Sequence, residues 1–264
     1  SSKDLIIYDE LSHASTNLGI KLSNAKILKF SHNNIKEIDL LLKNIRNKYR
    51  NRFLLTEGVF SMDGDRSLLK EIILLSKKYK FSIILDDAHG FGVLGNGKGS
   101  LYEIKPTPKI FIQMGTLSKS IGSYGGFITG SKKLIELIHN KARSLIYTTG
   151  LPPATIAASL KSMEIISKNN NLTKIPLNKA KLFCKILNLP IPESCIVTIN
   201  LKKEQIALKA SNYLEKNGFY VGAIRPPTVP INSSRLRFTF TALHKDKDII
   251  NLANLVKNVI QKNK

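Results

Sequence analysis

Tryptophan is absent from the 264-residue sequence, and cysteine occurs only twice, as Cys184 and Cys195. The two cysteines lack metal-ligand spacing and partner histidines, which excludes a zinc module and a disulfide scaffold; reduced thiols, and no metal, are the expectation. Glycine, at 16 residues, is too sparse for a collagen-like chain, and a hydrophobic content of 42% is too high for a disordered tail. No run approaches the roughly 18 uninterrupted apolar residues of a membrane helix, and the first residues hold no secretory apolar region. A cytoplasmic protein with no membrane partner is expected. Acidic residues are scarce, 19 against 41 basic ones, for a net charge of +22. Of the basic residues 33 are Lys and only 8 are Arg, and they spread from Lys3 to Lys264 amid many Ile and Asn. Arg is the residue suited to bidentate phosphate and base recognition, so this pattern reads as compositional drift and no nucleic-acid partner is expected.

What the sequence does have is alternation. Short apolar, β-branched runs at 5–8, 52–56, 82–85, 110–114 and 126–129 read as strands, separated by helical patterns at 35–48, 67–79 and 132–145. This order predicts an α/β fold, a mainly parallel central sheet with helices on both faces. A helix at 154–167 leads into a polar stretch at 169–173. Beyond it, strands at 195–200 and 236–241 with helices at 204–217 and 246–261 read as a smaller C-terminal α+β domain. The expected domains are 1–167 and 168–264. In open parallel sheets ligands bind beyond the carboxyl ends of the strands, which is where polar and glycine-rich segments lie here.

Two such segments carry chemistry. After the strand at 110–114 comes Gly115-Thr116-Leu117-Ser118-Lys119-Ser120-Ile121-Gly122. A lysine enclosed by small and hydroxyl residues is expected to be partly desolvated, which lowers its pKa and allows it to condense with an aldehyde. After the strand at 82–85 comes Asp86-Asp87-Ala88-His89-Gly90. A carboxylate there either caps the turn or pairs with a protonated pyridine nitrogen, and a histidine three residues on is placed for a phenolic oxygen of the same ring. A lysine nucleophile, an acid and a histidine on successive strand ends are the parts that pyridoxal phosphate chemistry uses.

These segments, with Leu11-Ser12-His13-Ala14-Ser15, Thr56-Glu57-Gly58-Val59-Phe60-Ser61-Met62-Asp63-Gly64-Asp65 and Tyr147-Thr148-Thr149-Gly150-Leu151-Pro152-Pro153, closely resemble the α-oxoamine synthases. Those are fold-type-I pyridoxal phosphate transferases that join an amino acid to an acyl thioester and release carbon dioxide. Ala223-Ile224-Arg225-Pro226-Pro227-Thr228-Val229-Pro230 and Ser234-Arg235-Leu236-Arg237-Phe238-Thr239 look like the branch that makes 8-amino-7-oxononanoate for biotin. The resemblance implies L-alanine and pimeloyl-acyl carrier protein or pimeloyl-CoA as substrates, and a homodimer. It implies that Lys119 holds the cofactor and moves the Cα proton. It gives Asp86 the pyridine nitrogen, His89 and Ser61 the ring oxygen, His13 the ring face and proton transfer, and Thr116 the phosphate. Arg237 takes the substrate carboxylate and Thr228 the substrate side. The alternatives are a glycine-using member of the family and an inactive fragment of one.

Read without the resemblance, His13 is a surface histidine at a helix start, Glu57 and Asp63 cap turns or bind backbone amides, and His32, His139 and His244 are surface or capping residues. The sequence opens on Ser1 and runs directly into an expected buried strand, so it reads as an N-terminally truncated or processed piece. Members of the family begin well before the His13 motif, with a segment that supplies a substrate-contacting arginine and a Gly-Tyr turn. Its absence implies an uncovered sheet edge and apolar surface.

Overall fold

A computed structural model describes residues 1–45 and 48–261. The chain divides into two compact units, Ser1–Phe60 with Arg66–Asn170, and Ser61–Asp65 with Asn171–Lys264.

The first unit is built on a six-stranded sheet in the order β2-β1-β3-β4-β5-β6. The strands are β1 (Asp4–Asp9), β2 (Lys26–Phe30), β3 (Asn51–Glu57), β4 (Ser82–Asp86), β5 (Ile112–Thr116) and β6 (Gly126–Gly130). All neighbours pair in parallel except β5 and β6, which are antiparallel. Alternation along each strand sets the two faces. Leu5, Ile7, Leu54, Ile83 and Leu85 point to one side, where they are buried with Ile38 and Leu42 of α2 (Ile35–Asn44) and Ile72 and Tyr79 of α3 (Leu69–Tyr79). Ile6, Leu55, Ile84 and Met114 have the other parity and line a cavity with Ser15, Thr16, Gly19 and Ile20 of α1 (Ala14–Leu22). Helices α4 (Lys132–Lys141), α5 (Arg143–Ile146) and α6 (Pro153–Lys168) follow β6.

The second unit holds α7 (Asn170–Leu187, whose first residue belongs to the first unit), β7 (Ile196–Lys202), α8 (Glu204–Lys216), β8 (Gly222–Ile224), β9 (Ser234–Thr239) and α9 (Asp246–Gln261). Its three strands form an antiparallel sheet in the order β7-β9-β8. Leu236 and Phe238 on one face pack with Phe183, Leu214 and Val256 into a core of its own.

Three expectations about elements need correction, and one further segment holds elements that the pattern does not predict. The helix expected over 35–48 ends at Asn44, and residues 46 and 47 lie outside the described ones. The helix expected over 132–145 breaks at Ala142, whose extended backbone separates α4 from α5. The polar stretch at 169–173 is the start of α7, which continues through Pro176 because Thr173, Ala180, Phe183 and Cys184 give it a buried stripe. The segment at 14–30, left unassigned by the pattern, holds α1 and β2.

Both cysteines are buried and free, and burial pushes the Cys184 thiol up to about 11. Among the described residues no helix is long and apolar enough to cross a membrane, and no cluster of three or more His, Cys, Asp or Glu is arranged to hold a metal.

Candidate active site

The carboxyl ends of β3, β4 and β5 lie side by side, with Glu57 in register with Asp86 and Asp86 with Met114. Asp86 ends β4 half-buried, at the wall of a cavity of about 480 Å³ whose lining is mostly apolar, with Ser15, Thr16 and Thr56 as its other polar side chains. One of its carboxylate oxygens, Oδ1, accepts the Ala88 N–H at 3.0 Å. Oδ2 carries no hydrogen bond from any described residue. His89 follows in the turn and is half-buried.

Asp87 has the opposite parity and is fully buried. Its Oδ2 accepts the Ser100 N–H and the Gln113 side-chain amide, both at 2.9 Å, and its Oδ1 accepts the Ser100 hydroxyl at 2.7 Å. Burial pushes its carboxyl up to about 6 against the pull of those three donors, with the neighbouring Asp86 carboxylate adding to the rise.

On the next strand, β5 ends at Thr116. The Thr116 hydroxyl donates to the Gly125 carbonyl at 3.1 Å and lies 2.7 Å from the Ser118 hydroxyl. The loop beyond is closed by Leu117 N–H to Gly125 O and Ser123 N–H to Leu117 O, each at 2.8 Å, and is anchored by Leu117 and Ile121, which are buried with Ile166. Between those anchors Ser118, Lys119 and Ser120 are exposed. This corrects the expectation that Lys119 is partly desolvated. Its small neighbours let the backbone turn tightly, and for the same reason they put no bulk around its side chain.

His13 is the N-cap of α1, its Nδ1 accepting the Ser15 N–H at 3.2 Å, so the helix-start reading of this exposed histidine holds as geometry. Its own N–H donates to the buried Glu57 carboxylate. Glu57 therefore binds a backbone amide, as expected, and ties His13 to the end of β3.

The other three candidates belong to the second unit. Arg237, on β9, is half-buried, which lowers its pKa, and its Nε donates to the Ser61 carbonyl at 2.7 Å while Nη1 donates to Thr239 Oγ1 at 3.0 Å. Ser61 and Arg237 are thus brought together, through the Ser61 backbone. Thr228 is exposed, in a turn closed by its N–H to the Arg225 carbonyl at 3.0 Å. Asp63 does not cap its turn; it pairs with the Arg235 guanidinium.

Of the histidines set aside, His32 packs edge-on against Phe60 and lies 2.9 Å from Asp9, while His244 Nδ1 accepts the Thr241 N–H within a turn. Sequence reasoning passed over Asp87, Ser100 and Gln113. Strand parity carried the signal for Asp87, which shares the inward face of Ile83 and Leu85; nothing local marked its two partners.

Residues 1–256 match the family described as aminotransferase class I and II. The 8-amino-7-oxononanoate synthase of Methylocella silvestris is 46% identical over 260 residues, 98% of this chain and 74% of that protein. Among solved structures, the Sphingomonas wittichii serine palmitoyltransferase matches with a TM-score of 0.92 at 28% identity, over 99% of this chain and 67% of that one. An 8-amino-7-oxononanoate synthase from Francisella tularensis matches with a TM-score of 0.79 at 28% identity, over 99% and 77%. The chain spans 66% to 74% of the length of the first curated relatives that it matches.

Proposed function

Because the chain belongs to the class I and II aminotransferase family, we propose that it is a pyridoxal phosphate-dependent acyltransferase that condenses L-alanine with a pimeloyl thioester, releasing carbon dioxide and the thiol to leave 8-amino-7-oxononanoate. The names of its curated relatives support the reaction. The observation that carries it is the pair of adjacent strand ends: Asp86 with one carboxylate oxygen uncommitted beside a cavity, and the Lys119 loop beginning two residues beyond the strand partner of Asp86.

The donor set fits the cofactor. Asp86 offers an anionic oxygen for a protonated ring nitrogen, Thr116 and Ser118 offer hydroxyls for a phosphate, and Lys119 is exposed and so reachable by an aldehyde. When bound, pyridoxal phosphate supplies an electron sink for the carbanion formed at the amino acid Cα. Lys119 would hold the cofactor through Nζ and, as a free amine, would take the Cα proton of the amino acid. Asp86 keeps the proton on the ring nitrogen. His89 and Ser61 would donate to the ring oxygen, and His13 would lie against the ring and assist proton transfer. Thr116 binds the phosphate. Arg237 receives the substrate carboxylate with the part of its guanidinium not used by Ser61 and Thr239, and Thr228 contacts the substrate. The first unit is the cofactor-binding domain, the active form is a homodimer in the cytoplasm, and the acyl donor is carried on acyl carrier protein or coenzyme A, both anionic and attracted by a chain of charge +22.

The test is to add pyridoxal phosphate to the purified chain and follow the absorption band of the covalently held cofactor, which is expected to form in the wild type and to be absent in Lys119→Ala. A panel of amino acids with pimeloyl donors then reads the substrate. No band in the wild type overturns the cofactor assignment, and turnover with glycine alone overturns the alanine assignment.

A further inference from the structure

Asp86 and Asp87 are neighbours in sequence but face opposite sides of the sheet, and only Asp86 borders the cavity. The Asp87 carboxylate sits just past the end of β4, beside Gly58 past the end of β3 and Gln113 near the start of β5. A methyl group added at Gly58, Gly90 or Gly99 would come within 2.2, 2.1 and 2.1 Å of its oxygens, so the backbone closes on it from three directions. Ser100 and Gln113 supply all three of its side-chain hydrogen bonds. Its backbone completes the tie: Asp87 N–H donates to Met114 O at 2.8 Å, and Asp87 O accepts from Gly90 and Phe91 at 3.1 and 2.8 Å. Gly58 N–H donates to Asp86 O at 2.7 Å. The turn that carries Asp86 and His89 is therefore pinned at its root by a buried side chain that itself touches nothing in the cavity.

We propose that Asp87 is a positioning residue whose carboxylate, clamped by Ser100 and Gln113, fixes the 86–91 turn so that Asp86 and His89 meet the cofactor ring already oriented. This deepens the proposed function and rests on it for the identity of the ring. A hydrogen-bond clamp makes a specific demand on variants. In Asp87→Asn the amide oxygen can take the Ser100 and Gln113 N–H groups while the new NH₂ donates to the Ser100 hydroxyl, which accepts as readily as it donates. Asp87→Ala loses all three bonds and leaves the two Ser100 donors buried.

The experiment has two readouts on the full chain. The first is amide hydrogen exchange at Ala88, Gly90 and Phe91 without cofactor, relative to amides in α3. The second is the dissociation constant for pyridoxal phosphate and the position of its bound absorption band. Asp87→Ala is expected to speed exchange at the three amides and to weaken cofactor binding, each by about tenfold, whereas Asp87→Asn stays within about threefold of wild type in both. Leu85→Ala, a core change on the same face of β4, separates positioning from general loss of stability: it is expected to lower the melting temperature without moving the cofactor band. Where Asp87→Ala does not fold, Gln113→Leu, which removes one donor, is expected to weaken cofactor binding about threefold. The proposal is overturned if Asp87→Ala leaves both readouts unchanged, if Leu85→Ala reproduces its effects, if Asp87→Asn is as damaging as Asp87→Ala, or if Gln113→Leu does nothing where it is the variant that folds. Should the wild type bind no pyridoxal phosphate, the functional reading falls, and the exchange measurement still decides whether the clamp exists.

Discussion

The loops that leave β4 and β5 start from adjacent strands of one sheet and are built in opposite ways. After β4 the chain turns around a buried carboxylate, Asp87, with its acceptors satisfied and glycines pressed against it. After β5 it turns around two buried aliphatic anchors, Leu117 and Ile121, and leaves the residues between them in solvent. A group that must hold a proton on a ring nitrogen gains from being fixed before the ligand arrives, since orientation then costs nothing on binding. A lysine that must attach to one partner, let go and collect a proton needs room to move. Under the proposed function, immobility at Asp86 and freedom at Lys119 are two requirements of one chemistry, met by polar clamping in one loop and by apolar anchoring at the base of the other.

The sharpest way to break that contrast is to crowd the clamp. Gly99 combines φ of 99° and ψ of 174°, a conformation essentially reserved for glycine, with a Cβ position 2.1 Å from Asp87 Oδ2. Gly99→Ala is expected to cost about 3 kcal/mol or more in urea denaturation, from overpacking and backbone strain together. Gly122, in the Lys119 loop, also has positive φ, at 67°, but faces open space. There Gly122→Ala meets only the left-handed backbone cost, about 1 kcal/mol. Equal losses at the two sites would mean that the loops are not packed differently.

A slightly smaller effect distinguishes the loops by pH. The Asp87 carboxyl is pushed up to about 6 in the folded chain, whereas in an unfolded chain it titrates near its ordinary value of about 3.9. Between those values the folded state holds a proton that the unfolded state has lost, so this group makes folding more favourable as pH falls from about 7 to about 4. The full swing is about 3 kcal/mol. Urea midpoints measured at pH 7 and pH 5 are expected to show this component in the wild type and to lack it in Asp87→Asn. An unchanged pH dependence in that variant would place the titration elsewhere.

How much of this was legible in the sequence differs between the same two loops. Five strands of the larger sheet announce themselves because their faces are apolar and β-branched, and Asp86 and Lys119 follow from strand-end position. β2 was missed because Lys26 and Lys29 interrupt it and only Phe30 is buried. α1 was missed because it is nine residues long, contains Gly19 and buries only Ile20. The asparagines at 169–171 made the start of α7 read as no more than a polar stretch; its buried Phe183 and Cys184 make it part of a helix. Asp87 was within reach of a parity argument, but its partners Ser100 and Gln113 lie 13 and 26 residues away, a separation that only folding closes. The exposure of Lys119 was hidden for the converse reason, because local sequence gives small neighbours without saying what stands beyond them.

The smallest expected effect on stability belongs to the residue with the largest expected effect on function. Lys119 is exposed, makes no side-chain hydrogen bond to another described residue, and sits between anchors that do not depend on it. Lys119→Ala should therefore change the urea midpoint by no more than about 0.5 kcal/mol, the range of surface substitutions away from packing and caps. The Gly122 N–H to Lys119 O bond at 3.0 Å, a backbone contribution to the loop, survives the substitution. A loss of 2 kcal/mol or so would show that the ammonium already has a partner holding the loop together, and the contrast between a clamped acid and a free amine would fail at its second half.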